Sequence, residues 1–191
     1  MILTKIKIIS NALSLLGLPP INQIDFNDKN HIIALNFYDL VLPDVLSAIN
    51  WNFAKTVVSL NKLDEDSPFS DYTNVFSLPN NPKFLIIDDL IPRVNYRILN
   101  DKLYTDYDGN DLKTVYVTSD INANELPLYF VRYLTTELAK ILCFPITGDY
   151  QLLQFLMNES LLLSSKTKMV DSRLKQQGQL SKPNDLYDSK F

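Results

Sequence analysis

The chain has 191 residues with 46% hydrophobic and 21% charged side chains, and only 4 Gly against 10 Pro. These proportions suit one globular domain, or a domain with an arm, and exclude a collagen-like or low-complexity chain. A net charge of -4 argues against a protein that holds nucleic acid by neutralising phosphates, and with no bilayer-length apolar run or leader pattern read, a soluble, unprocessed chain is expected.

Residues 4–16 read as a first helix, because Ile6, Ile9, Leu13 and Leu16 recur at helical spacing behind Thr4, a suitable N-cap. Gly17 and the pair Pro19-Pro20 stop it. Asp28 offers the cap of a second helix to about Ile49, with a kink or break expected at Pro43. His31 reads as a helix-surface residue.

From Trp51 the period shortens. Phe53 to Leu60 reads as a strand, followed by an acidic loop, NKLDEDSPFSD. Further strands are expected at Asn74–Leu78, Phe84–Ile87, Val94–Leu99, Leu103–Thr105 and Thr114–Thr118, forming an antiparallel meander. Helical spacing returns at Leu126 and runs to Pro145, with Cys143 as a small core residue. A last helix begins near Asp149 and is expected to end at Gly178. Its leucine-rich first half predicts burial nearly all round, whereas SSKTKMVDSRLKQQ predicts a half that projects into solvent or lies against another chain.

The fold class is therefore α+β: a bundle of about four helices from residues 1–50 and 125–177, an inserted antiparallel β subdomain at 51–124, and an extended arm at 178–191. The arm has no periodicity. Its isolated Leu180, Leu186, Tyr187 and Phe191 read as anchors that order on a partner. Lys166, Lys168 and Arg173 read as contacts to a neighbouring copy or partner, or else as a solvated helix face.

Chemistry is sparse. One Cys and one His exclude an internal disulfide and a His-rich metal site, and fit a reducing compartment. Asp106, Asp108 and Asp111 alternate as in a cation loop, but the Gly is misplaced and the closing Glu missing for an EF-hand, so YTDYDGNDLK reads as a hairpin turn with Asp108-Gly109 at φ > 0. The acids Asp64, Glu65, Asp66, Asp88 and Asp89 read as loop charge. No phosphate loop, nucleophile elbow or metal-ligand spacing is present in the sequence, so no cofactor, metal or catalytic residue is assigned. Tyr129, Phe130 and Tyr133 read as core or interface packing rather than base stacking, for want of interleaved basic residues.

The order of segments LSLLGLPPI, WNFA, YTNVFSLPNNPKFLII and LPLYFVRYLTTELAKILCFPITGD, leading into a long last helix, resembles the tail tubular protein A family of short-tailed bacteriophages, the head-to-tail adaptor or gatekeeper proteins. The likeness spans about residues 6–177. Its recurring words fall on Leu16 to Pro19 or Pro20, Trp51 to Ala54, and Phe76 to Pro79. The resemblance implies a non-enzymatic virion protein: a ring, twelve-fold in that family, between the portal protein and the distal tail or nozzle protein, lining a channel that DNA crosses without specific binding. It also implies a C-terminal arm that docks on the portal. The readings weighed against it are a carboxylate- and cation-dependent hydrolase and a small acidic interaction protein that forms no ring.

Overall fold

The computed structural model describes residues 4–80 and 84–180, with side chains as far as Leu174. The first helix, α1 (Lys5–Leu15), opens on Thr4, whose Oγ1 accepts from Lys7 N at 3.3 Å. It closes in a Schellman motif: Leu18 N donates to Leu13 O, Gly17 N donates to Ser14 O, and Gly17 takes φ 82°. A side chain at Gly17 would strain that left-handed turn. The link that follows is tied back to α1, because Ile21 N donates to Ser10 Oγ at 2.9 Å. Ile8, Ile9, Ala12 and Leu13 are fully buried on one face.

The second helix, α2 (Lys29–Ala48), begins after Asp28, whose carboxylate accepts from Asn30 N at 2.8 Å. Pro43 lies inside it without splitting it, so of the kink or break expected there the break is absent. His31 is also more than a surface residue, since its Nδ1 accepts from Asp25 N and holds the turn before the helix. By length and composition α2 is apolar enough to cross a membrane, with a mean hydropathy of 1.2, although the sequence reading found no such run. It carries Asp39, which pairs with Lys5 of α1 at 2.5 Å, and Lys5 also lies over the Tyr38 ring. Tyr38 is buried, which pushes its hydroxyl up to about 12, the Asp39 charge adding to the effect.

The chain passes from α2 through a single 3-10 turn, Asn52–Ala54, into seven described strands. These are β1 (Lys55–Ser59), β2 (Asn61–Leu63), β3 (Asn74–Ser77), β4 (Phe84–Ile91), β5 (Tyr96–Leu99), β6 (Lys102–Thr105) and β7 (Lys113–Thr118). They form two antiparallel sheets, ordered β1-β7-β4 and β2-β3-β6-β5. The expected meander is corrected: the first and last strands of the insert pair with each other, from Lys55↔Val117 to Ser59↔Lys113. The supposed acidic loop contains β2, and the chain changes sheets at Leu60, whose N–H donates to Leu112 O at 2.8 Å.

Leu60 and Leu112 thereby enter the core with Phe76, Leu78, Leu90 and Leu103. Trp51 is fully buried, and its Nε1 donates to Val45 O at 2.8 Å, satisfying a carbonyl in the last turn of α2. Within the second sheet the β5–β6 turn falls on Asn100 and Asp101, both at positive φ as a type I′ turn requires.

The third helix, α3 (Leu128–Thr147), starts from Pro127 and ends at Gly148, which has φ 65°. Pro145, expected to end it, sits inside its last turn. The fourth, α4 (Tyr150–Leu180), is capped by Asp149, whose Oδ1 accepts from Gln151 N and Leu152 N at 2.9 and 3.0 Å. It runs through Gly178, so the arm does not begin there. Cys143 is buried at this corner, its thiol 3.5 Å from Asp149 O.

The fold is α+β, with a helical bundle and an inserted β part. By compactness the chain forms two units, Met1–Val41 with Leu126–Phe191, and Leu42–Glu125. The first division falls inside α2, where the sequence pattern had set it at 50/51.

Candidate interaction surface

The helical unit is built on α3, which buries Phe130, Val131, Tyr133, Leu134, Leu138 and Leu142. Polar links fasten α4 to it. Glu137 is buried, accepts from Ser160 Oγ, and pairs with Lys140 at 2.5 Å. About three turns further along α4, Tyr129 Oη donates to Asp171 Oδ1 at 2.9 Å. Burial first, and then the Asp171 carboxylate, pushes the Tyr129 hydroxyl far above its ordinary value. Thr167 and Asp171 are buried, so the second half of α4 is not simply projecting as expected.

The first half of α4 departs further from expectation. Leu156, Ser160 and Leu163 form its buried stripe, while Phe155 is 63% exposed, Leu161 70% and Leu162 58%. The leucine-rich sequence predicted burial nearly all round, and the described residues cover one side only. Leu128, opening α3, is 81% exposed.

These side chains are not scattered. Leu15 of α1, Leu128 and Val131 of α3, and Phe155 and Leu156 of α4 line an open groove of about 640 Å³. Arg132 and Glu159, paired at 3.0 Å, also border it. Sequence reasoning missed the groove, because α1 and α3 are more than a hundred residues apart in the chain and no local pattern brings them together. The apolar groove can receive an apolar ridge; it presents no reactive constellation.

Among the residues singled out from sequence, Lys166, Lys168 and Arg173 are exposed on α4, and none forms an ion pair with another described residue. Leu180 is the last residue of α4; Leu186, Tyr187 and Phe191 lie outside the described residues.

The acidic segment 106–112 is not a hairpin but the link from β6 in one sheet to β7 in the other. Its charges have local uses: Asp108 pairs with Lys62 at 2.8 Å, and Asp111 accepts from Tyr107 Oη. The Lys62 hydrogen bond holds the Asp108 carboxyl below its usual value, and the Tyr107 hydroxyl does the same for Asp111. Gly109 has no positive φ; a Cβ there would run into the Tyr107 ring. Among the described residues no group of three or more His, Cys, Asp or Glu side chains is placed to hold a metal ion.

No protein-family model and no curated protein matches this chain.

Proposed function

We propose that the protein is a structural head-to-tail adaptor of a virion, a subunit of a ring between a portal and the distal tail, with no enzymatic role. The observation that carries this reading is the half-covered α4: a long helix with one buried stripe and Phe155, Leu161 and Leu162 mostly in water. Patches of this kind mark surfaces that other chains cover, and a ring subunit presents such surfaces to its neighbours. The order of the sequence segments, with their resemblance to phage adaptors, supports this choice of assembly. The acidic balance of the chain suits a channel that lets DNA pass, since attraction to phosphates would hold it.

On this reading residues 181–191 dock on the portal through Leu186, Tyr187 and Phe191, close to Leu180. Native mass measurement, on the full chain mixed with a portal ring from the same virion, tests the proposal. Loading of many copies in a number matching the portal subunits is expected. Removal of residues 181–191 should abolish loading while leaving the far-ultraviolet circular dichroism of the helical unit intact. Failure of the folded full chain to load, or normal loading by the shortened one, overturns the docking assignment.

A further inference from the structure

In the first half of α4 the exposed apolar side chains fall on two flanks, Leu162 sharing that of Phe155 seven residues before it. Tyr150, Met157 and Leu161 follow one another at intervals of seven and four, which stacks them on a single flank. Phe155 lies in the groove, roughly 120° round the helix from Leu161 at 3.6 residues per turn. The buried stripe of Leu156, Ser160, Leu163 and Thr167 runs between the two flanks. One flank of α4 is therefore a convex apolar ridge, and the other is a wall of the concave groove completed by Leu15 and Leu128.

We infer that a second copy of this chain covers the groove, inserting its Tyr150–Met157–Leu161 ridge between Leu15, Leu128 and Phe155 of its neighbour.

Two observations select a second copy as the occupant. The first is area: from their fractional exposures, ridge and groove each leave on the order of 400 Å² of apolar surface in water, at the scale where a patch on a monomer marks an interface. Joined, they bury about 800 Å², close to the apolar share of a standard interface of about 1,600 Å². The second is shape, because a helix ridge carrying side chains at i, i+7 and i+11 fills a groove between helices as ridges pack into grooves.

Ridge and groove are different surfaces, so the contact is heterologous: each copy uses its ridge on one neighbour and its groove on the other. Such contacts close into rings when the rotation permits. The inference rests on the ring reading for that closure alone; the pairing of the two faces stands without a portal.

Disulfide trapping tests it in the full chain carrying Cys143→Ser. Leu161→Cys marks the ridge and Leu128→Cys the groove, both exposed, so neither change empties the core. At about 1 mM chain, where even a weak interface is populated, oxidation of an equal mixture of the two variants should give one covalent dimer. Each variant alone should give none, and the double variant should give a ladder. A dimer from either variant alone shows a two-fold contact and overturns the inference, as does a mixture that stays monomeric while folded. Moving the groove cysteine to Leu15 guards against poor bond geometry at Leu128. The two readings fail separately: a cross-link with no loading on the portal removes the adaptor, and loading without a cross-link removes this interface.

Discussion

Replacing Trp51 with Phe should weaken the β-containing unit by about 2–4 kcal/mol. The indole is fully buried, and its Nε1 donates to Val45 O at 2.8 Å. Val45 is buried near the C-terminal end of α2, where the last carbonyls have no partner within the helix. Losing the donor leaves a buried acceptor unpaired, at a cost of about 1–3 kcal/mol. The phenyl ring is smaller by roughly 40 Å³, and unfilled space costs about 24 cal/mol per Å³, which adds about 1 kcal/mol. Urea unfolding followed by far-ultraviolet circular dichroism reads the change, because the substitution removes the only tryptophan and its fluorescence. The midpoint should fall with the slope unchanged. Val57→Thr, at an exposed position of β1, is the control and should shift stability by less than about 0.5 kcal/mol. A Trp51→Phe chain within about 0.5 kcal/mol of its parent would refute the claim that the indole caps α2.

The helical unit should lose stability in alkali. Folding raises the Tyr38 hydroxyl to about 12 and the Tyr129 hydroxyl higher still, so between the ordinary tyrosine range and those values the unfolded chain gives up protons that the folded chain keeps. This contribution is fully present below pH 10 and is lost as pH rises towards 12, and Tyr38→Phe should flatten the fall in a melting series across that window. In β7, the Thr114 hydroxyl is buried with no hydrogen-bond partner among the described residues. Thr114→Val should accordingly leave the melting temperature unchanged or raise it, by up to about 1 kcal/mol in stability, whereas a loss above that would reveal a partner for the hydroxyl.

Helix boundaries were legible wherever one side chain decides them. Thr4, Gly17, Asp28 and Asp149 do locally what their residue types permit, and each was found from a few neighbouring letters. Breakers were overread: Pro145 falls in the last turn of α3, where few backbone bonds remain to be lost, and Gly178 costs a helix only about 1 kcal/mol. The sheets were legible as strands but not as pairings. That β1 lies beside β7 depends on residues some sixty positions apart, and no turn signal encodes it. For the same reason Asp108-Gly109 was taken for the hairpin that Asn100-Asp101 makes. As for the surface, the exposed lysines and arginine of α4 were foreseen, but the groove was not. Apolar content shows how much surface a helix needs covered; it does not show whether the covering comes from its own chain.

The pairing of β1 with β7 brings the two ends of the insert side by side, about 5 Å apart across the ladder. A segment that enters and leaves at one place behaves as a cassette. Its host needs only two adjacent attachment points, whatever the length or topology of what hangs between them. Two recombination junctions, one on each side of that ladder, would exchange the whole β unit for another while leaving the helical unit's packing residues untouched. Descendants of this chain could thus diverge quickly in the insert and slowly in the helices, and a chimaera carrying a foreign insert at these junctions would inherit the ridge and groove unchanged.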